Sequence, residues 1–512
     1  MNDEQTTLAA AEQLPEGVPP VLDEAHIGDI RGALGTIRVH DSGERHGWRA
    51  RTLALLAIMG PGVIVMVGDN DAGGVSTYAQ AGQNYGTSLL WVLVLLIPVL
   101  IVNQEMVIRL GAVTGVGHAR LINERFGRFW GWFSVGDLFI LNFLTIVTEF
   151  IGVSLALGYF GVSHYVAVPV AALALVAITS TGSFRNWERF MYVFVVTNFI
   201  AIVGTTVAPW QLFFQQSNII DKRITPRWIN YERTDTVIGA FVVVLGAGAL
   251  VAVTAFAFAG TPDFAHFANA GAVASELARR LGSAAGTCFA IVLLNASLIG
   301  AAAVTLATSY AFGDVFGAKH SLNRGPLDAK LFYASFTLMV VVAAGVVLIP
   351  GAPLGLITTS VQALAGVLLP SATVFLLLLC NDREVLGPWC NAPWLNALAS
   401  VIIGVLVELS LILVASTMFP SVNVVHLFVY LSALLLVTLL GMALYALHNR
   451  TPAGVQVEKL SPERRSTWTM PPLALLERPA FSPGRKAGML LLRGYLVVAV
   501  VLLVVKTVQL GH

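Results

Sequence analysis

Two acidic side chains and an amide stand between glycines inside the first apolar stretch of this 512-residue sequence. The stretch contains Gly60-Pro-Gly62 and then Gly68-Asp-Asn-Asp-Ala-Gly-Gly74, with apolar residues on both sides. Glycine and proline interrupt a helix, and the interruption turns backbone carbonyl oxygens toward a cavity in the bundle. Carboxylate and carbonyl oxygens suit hard divalent cations. We therefore predict that Asp71 is a cation ligand. A helix cap or an interfacial carboxylate is the alternative, less favoured because an intramembrane polar cluster is costly without a function.

Another interruption lies at Gly204-Thr-Thr-Val-Ala-Pro-Trp-Gln211, in a later apolar stretch. Pro209 removes a backbone donor and disfavours helical geometry just before it, so the helix is expected to open here. Two broken helices in corresponding parts of a bundle indicate an ion site near the middle of the membrane. The two interruptions together predict one shared site.

The elements that position this site are predicted to be membrane-spanning helices. The sequence is 56% hydrophobic and 12% charged, with a mean hydropathy of +0.77, which lies outside the range of soluble domains. About twelve stretches are long enough to cross a hydrocarbon core of ~30 Å. A backbone in lipid must satisfy its own hydrogen bonds, and these runs are too long for barrel strands. The fold class is therefore an all-α membrane protein with about 11–12 transmembrane helices. The predicted spans are 52–82, 88–108, 132–158, 164–180, 190–215, 237–259, 287–312, 331–350, 353–380, 394–418, 424–447 and 488–508.

Polar segments divide the chain into four parts. Residues 1–50 form an amino-terminal tail, 51–448 the membrane domain, 449–487 a linker, and 488–512 a carboxy-terminal transmembrane helix. A net charge of +1 gives no indication of a nucleic-acid partner. The sequence contains no catalytic constellation and no phosphate-binding loop, so neither an enzyme nor a resident cofactor is predicted.

Basic residues in the short loops predict a cytoplasmic amino terminus. They cluster at 38–51, before the first span, and at 120–128, after the second. The rule that basic loops are cytoplasmic gives conflicting orientations at one place. Arg185 and Arg189 precede the predicted span 190–215, and four further basic residues follow it between 222 and 233. A single crossing cannot place both groups on one side. Either the chain enters and returns here, or an odd number of helices is missing.

The two interruptions also carry a family resemblance. Gly60–Gly82 resembles the first helix of the NRAMP divalent-metal transporters, with Asp71-Ala-Gly-Gly74 where that family has Asp-Pro-Gly-Asn. Gly204–Gln211 stands where the sixth helix of the family has Met-Pro-His-Asn. The resemblance covers roughly residues 50–450. It implies a LeuT-type bundle of two inverted five-helix repeats, with the metal held between the first and sixth helices. Further matches are Arg109–Gly115, Thr148–Gly152 and Gln362, eight residues before Pro370.

The resemblance assigns metal-site roles to seven positions. Asp71 is the ligand carboxylate, Gly68 and Thr205 are carbonyl donors, and Gln211 and Gln362 are nearby amide oxygens. Two positions depart from the family: Gly74 replaces a ligand asparagine, and Ala208 replaces a methionine.

A thioether favours transition metals, and its loss removes discrimination against Mg²⁺. The smaller residues enlarge the cavity, which suits an ion that keeps several waters. The pattern is similar to the NRAMP-related magnesium transporters, and Mn²⁺ should also be accepted.

Proton coupling is not expected to be obligatory. Trp210 and Gln215 stand where other members of the family have histidines, and neither titrates near neutral pH. Glu149 alone remains of the implied proton route, with a structural, hydrogen-bonded role as its alternative. A proton-coupled Mn²⁺ or Fe²⁺ symporter is the second interpretation of the function.

The family has two crossings between Arg189 and Lys222, its fifth and sixth helices, whereas this sequence has length for one. Phe190–Phe199 resembles the start of the fifth helix and Ile200–Ser217 the sixth, so a crossing near 190–217 is missing on this interpretation. Two competing functions are a LeuT-fold amino-acid or organic-cation symporter and a non-transporting membrane scaffold. The bilayer is predicted to be a plasma membrane, in a bacterium the inner membrane. The sequence leaves the oligomeric state open.

Overall fold

The computed structural model describes residues 25–41, 43–201, 208–351, 354–419, 421–448 and 461–476, together with 489 and 494. Its first element is an antiparallel hairpin of two strands, β1 (Ile30–Gly32) and β2 (Gly35–Ile37), in which Arg31 pairs with Thr36. The predicted tail therefore contains ordered structure near its end. The hairpin packs against the first helix and the start of a later one, α8 below.

The first predicted span is divided into three helices, α1 (Trp48–Ile58), α2 (Pro61–Gly68) and α3 (Ala72–Tyr85). The bend between α1 and α2 is 54°. It falls at Gly60, whose φ of 153° is readily adopted only by glycine, and Pro61 then begins α2 in the first turn, where a missing N–H costs nothing. Asp69, Asn70 and Asp71 form the joint between α2 and α3. The sequence thus folds as predicted at 68–74, with one further bend.

Long helices follow, joined by short loops. Two short helices, α5 and α11, lie between spans, and α15 and α18 have only four and six residues. In chain order the helices are α4 (Leu90–Thr114), α5 (His118–Phe126), α6 (Arg128–Tyr159), α7 (His164–Thr179), α8 (Phe184–Ala201), α9 (Trp210–Asp221), α10 (Ile229–Phe258), α11 (Ala270–Leu281), α12 (Ser283–Phe316), α13 (Lys330–Val347), α14 (Leu354–Cys380), α15 (Arg383–Leu386), α16 (Pro393–Met418), α17 (Val424–His448) and α18 (Pro462–Thr467).

Within the described part of the chain, eight helices are long and apolar enough to cross a membrane, or nine if the bent pair α1–α2 is one span. Ten of the predicted spans coincide with helices or, in the first case, with the group α1–α3. The span predicted at 488–508 lies almost entirely outside the described residues. The single span predicted at 190–215 is wrong, because α8 ends at Ala201 and a separate helix begins at Trp210.

The chain enters and returns at this place. Lys222, directly after α9, donates to the carboxylate of Glu188 in the second turn of α8 at 2.5 Å. The start of α8 and the end of α9 therefore lie at the same end of the bundle, which resolves the conflict between the basic residues. Helix α9 has 12 residues. At 1.5 Å per residue it is about 18 Å long, too short to cross a bilayer.

The core is built around α6 and α12, which pack along each other. Helix α10 packs against α2, α3 and α4, and α9 lies between α4 and α12. Helix α14 packs against α6 on one side and α16 on the other, and α17 lies outside α16. We call the end of the bundle that carries the hairpin, Arg125 and residues 222–233 the basic face. These packing relations place the α2–α3 joint inside the bundle.

Candidate metal-ion site

Asp71 is both a helix cap and a buried carboxylate. It precedes α3 with an extended backbone, and its Oδ1 accepts the N–H of Gly74 at 2.5 Å. The side chain is buried among α3, α6 and α14, with 2% of its surface exposed. An anion at a helix amino terminus is stabilised by the unpaired N–H groups and by the helix dipole. The capping alternative is thus observed, and it holds the carboxylate in place at the joint.

Gln362 on α14 lies against the first turn of α3, beside Asp71. This approach requires a glycine on α3: a Cβ at Gly73 would lie 1.7 Å from the amide nitrogen of Gln362. The structure therefore brings Asp71, Gly74 and Gln362 together as the resemblance implies. Gly74 donates its N–H to the carboxylate of Asp71, and it has no side-chain oxygen that could bind a metal.

Glu149 lies on α6 at the same helix end. Its Oε2 accepts the N–H of Ala72 at 3.0 Å, while Oε1 has no hydrogen-bond partner among the described residues. Gly300 on α12 makes room for it, since a Cβ there would lie 2.7 Å from the carboxyl group. Two buried carboxylates thus share the amino terminus of α3. The structural role of Glu149 is observed, and its free oxygen remains available to a proton or a cation.

Trp210 fills the space beside Gly68, the last residue of α2. A Cβ at Gly68 would lie 3.4 Å from the Trp210 ring and 3.1 Å from Ile299. Both residues are fully enclosed by neighbouring helices. Trp210 is thus near the predicted site, but as a packed aromatic ring that cannot carry a proton.

Gln211 and Gln215 lie on α9 and face other partners. The amide oxygen of Gln211 accepts from Gln104 on α4 at 3.2 Å, and no described contact joins Gln211 to Asp71. Gln215 donates to Thr236 at 2.9 Å and lies 3.5 Å from Glu232. The ligand role of Gln211 therefore stays a prediction. Its neighbour Gln104 was not predicted from the sequence.

Ala208 is buried just before α9, and Thr205 lies outside the described residues. Asp69 and Asn70 are buried in the joint. Among the residues that the structure describes, no three His, Cys, Asp or Glu side chains are grouped so that they could hold a metal ion. A cation at the joint would therefore depend on one or two carboxylates, backbone carbonyls, amides and water.

Comparison with known proteins agrees with this geometry. The family model described as "Natural resistance-associated macrophage protein-like", Nramp, matches residues 62–200 and 196–416. The two matched segments meet at the end of α8.

Curated relatives are similar at low identity over most of their length. The divalent metal cation transporter MntH of Burkholderia ambifaria is 25% identical over 452 residues, with 77% of this chain and 98% of that protein aligned. The protein of the same name from Xanthomonas campestris is 27% identical over 439 residues, with 75% and 94% aligned.

Solved structures support the fold. A crystal structure of the Eremococcus coleocola manganese transporter, in complex with an aromatic bis-isothiourea substituted compound, has a TM-score of 0.57 at 18% identity and covers 79% of this chain and 96% of that one. A variant of the same transporter gives 0.59. The predicted fold class, a LeuT-type helical bundle in a membrane, is confirmed.

Proposed function

Because this chain belongs to the Nramp family, we propose that it transports divalent metal cations, with Mg²⁺ as its main substrate, Mn²⁺ also accepted and no obligatory coupling to protons. One observation carries the proposal: the buried carboxylate of Asp71 is held at an unwound joint between two half-helices. A fixed negative charge at a helix interruption inside a membrane is suited to a cation.

The donor set supports Mg²⁺. No thioether stands at position 208 and Gly74 offers no side-chain ligand, so the side chains described around Asp71 that could bind an ion are the carboxylate of Glu149 and the amide of Gln362. Mg²⁺ dehydrates reluctantly and is bound through one or two carboxylates with several waters retained. Mn²⁺ accepts the same oxygen ligands. Asp71 and Gln362 thus provide an anchored carboxylate and an amide around which a hydrated ion would fit.

Passive transport follows from the side chains on α9. Trp210 is packed against Gly68, and Gln215 is hydrogen-bonded to Thr236, so neither replaces the titrating histidines of the family. The proton-coupled Mn²⁺ or Fe²⁺ symporter is the second candidate. Glu149 favours this symporter, because its Oε1 has no partner among the described residues and its Oε2 accepts from Ala72, the residue next to Asp71.

An amino-acid symporter is disfavoured by the same helix end. Such a site offers free backbone N–H groups to the carboxylate of the substrate. Here the N–H groups of Gly74 and Ala72 are already bonded to Asp71 and Glu149. A substrate carboxylate would meet two negative charges and no free donor at these two positions.

The orientation is part of the proposal. We place the basic face in the cytoplasm, because loops rich in Lys and Arg stay on that side. The amino-terminal tail, Arg125 and residues 222–233 then share the cytoplasmic side, as does the linker 449–487. The bacterial origin of the MntH relatives supports a bacterial plasma membrane.

The test is uptake of Mg²⁺ and of Mn²⁺ into proteoliposomes that contain the full chain, with internal pH recorded at the same time. Asp71→Ala is the test variant and Asp328→Ala, an exposed carboxylate, the control. Uptake of both ions that Asp71→Ala alone abolishes, without acidification, is expected.

Uptake that acidifies the vesicles in proportion to metal flux would instead establish the symporter. Absence of uptake in every variant, despite correct insertion, would favour the membrane scaffold.

A further inference from the structure

A polar cavity of about 260 Å³ opens at the basic face of the bundle. Its walls come from the hairpin, the start of α8, the end of α9 and the loop between α12 and α13. Three arginines line it: Arg31 on β1, Arg185 in the first turn of α8, and Arg223 just after α9. We call this cavity the arginine pocket. Guanidinium groups from three separate elements therefore line one space.

Arg185 lines the pocket without a partner. The side chain is half-buried, and its Nε is fully buried with no hydrogen-bond partner among the described residues. In the same part of the chain, no carboxylate lies within ion-pair distance of this guanidinium group. Buried polar and charged groups are normally paired. The side chain of Arg185 therefore indicates that an anion belongs in the pocket.

Arg223 is fixed in the pocket wall by neutral groups. Its guanidinium donates to the carbonyl of Ala25 at 3.0 and 3.1 Å and to the carbonyl of Asp29 at 3.3 Å. Its backbone has a φ of 66°, at a position after a helix where glycine is common, so this conformation is strained. Partial burial and the nearby charge of Arg31 lower the pKa of the Arg223 guanidinium. Carbonyl groups orient this side chain but leave its positive charge unbalanced.

Two carboxylates also line the pocket, and both have other partners. Each oxygen of Asp221 has two hydrogen-bond partners, among them the hydroxyl of Ser321 at 2.8 Å. Asp29 accepts the N–H of Val39 at 3.0 Å and lies 3.8 Å from Arg31, a long ion pair. Three guanidinium groups thus face two engaged carboxylates. The pocket keeps a net positive charge.

The start of α8 adds further donors. Gly182, Ser183 and Phe184 line the pocket where this helix begins. The first N–H groups of a helix have no partner within the helix, and together with the helix dipole they attract anions. The planar fork of an arginine matches phosphate oxygens, which it binds through two parallel hydrogen bonds. The volume lies just below the ~300–1,000 Å³ of drug-sized sites, so a small group fits.

We propose that the arginine pocket binds a terminal phosphate group, with Arg31, Arg185 and Arg223 as its cationic partners and the first turn of α8 as a further donor. The group belongs either to a soluble phosphate compound or to the headgroup of phosphatidic acid, which share this chemistry. A bound phosphate would link the amino-terminal hairpin to the return between α8 and α9. The site takes an anion, so it is separate from the cation site at Asp71.

Carboxylates of the amino-terminal tail are the competing occupant. Residues 1–24 contain no Lys or Arg and six acidic residues: Asp3, Glu4, Glu12, Glu16, Asp23 and Glu24. A carboxylate offers two oxygens, whereas a terminal phosphate offers three strong acceptors and a larger charge. Three arginines around one space therefore favour phosphate.

The first test titrates inorganic phosphate into the purified full chain in a phosphate-free detergent, at constant ionic strength, with calorimetric detection. We expect one saturable site per chain. Arg185→Gln should weaken binding roughly tenfold or more, the effect of losing one charge-assisted hydrogen bond. Thermal unfolding verifies that this variant is folded. Arg189→Gln, an exposed position one turn along α8, is the matched control and should bind as the wild type does.

The second test distinguishes the two sources of phosphate. The full chain is placed in nanodiscs of phosphatidylcholine with phosphatidic acid, and native mass spectrometry counts the phosphatidic acid that stays bound. Retention in the wild type and in Arg189→Gln, with loss in Arg185→Gln, assigns the pocket to the lipid headgroup. Phosphate binding that depends on Arg185, without such retention, assigns it to a soluble compound.

Two results would overturn the proposal. One is the absence of any effect of Arg185→Gln in both tests. The other is phosphate binding that occurs only in the double variant Asp23→Asn, Glu24→Gln, since carboxylates of the tail would then be the native occupant. None of these measurements depends on metal transport, so the phosphate site and the proposed function fail separately.

Discussion

The two helix interruptions of this molecule differ in completeness. The first, between α2 and α3, has a half-helix on each side, a capping carboxylate and neighbours on α6 and α14 that reach it. The second lies between α8 and the 12-residue α9, where the chain reverses its direction through the bundle. The described contacts around Asp71 therefore come from α3, α6 and α14, and not from α9.

Two of the comparisons bear on the crossing predicted to be missing near 190–217. The family match breaks at 196–200, where α8 ends. The alignment to the Burkholderia relative extends over 452 positions but includes only 77% of 512 residues, so that relative has residues that this chain lacks. The crossing predicted to be missing near 190–217 would account for both facts. The deletion stays a prediction, and it would lie outside the first interruption.

The largest effect is expected at the complete interruption, from Asp71→Asn. Asparagine caps a helix about as well as aspartate, so thermal stability should change little. The charge is lost, and metal affinity should fall by roughly 100-fold or more, since changes to groups that only orient a ligand already cost about 10–100-fold. Mn²⁺ binding and thermal unfolding of the same sample check this.

Asp328→Asn, at an exposed position, is the matched control and should bind as the wild type does. Equal affinity in both variants would show that the charge of Asp71 does not bind metal, and would remove the distinction between the two interruptions.

A smaller effect is expected from Gly73→Ala. The new Cβ would lie 1.7 Å from the Gln362 amide, so that side chain must turn away from Asp71. Alanine is favoured over glycine in a helix by about 1 kcal/mol, which offsets part of the strain. Apparent metal affinity should fall by roughly tenfold, as for the loss of a group that orients a ligand.

Titration of Mn²⁺ uptake measures this apparent affinity. Gly345→Ala is the control, because a Cβ there meets nothing within 4 Å. If Gly73→Ala behaves like this control, Gln362 does not support the metal site.

The sequence predicts the first interruption well because its causes are local. Glycines and a proline stop the helices, and Asp71 caps the helix that starts one residue later. The same reasoning fails at α9, because its partners are distant: Gln211 bonds to Gln104, 107 residues away, and Lys222 to Glu188 across the return. The spacing of residues 211, 215, 218 and 222 places them on one face of a helix, and this spacing is visible in the sequence. The neighbouring helix that this face contacts is decided by tertiary packing, which the sequence does not predict.

The smallest effect is expected at the incomplete interruption, from Ala208→Met. A thioether at this place would favour transition metals, so the preference for Mn²⁺ over Mg²⁺ should rise roughly fivefold, equivalent to about 1 kcal/mol. Competition between the two ions for uptake measures the ratio. Ala208→Leu supplies similar bulk without sulfur and should leave the ratio unchanged. An equal shift in both variants would mean that volume, not the soft donor, sets the preference. No shift in either would show that position 208 does not contact the metal.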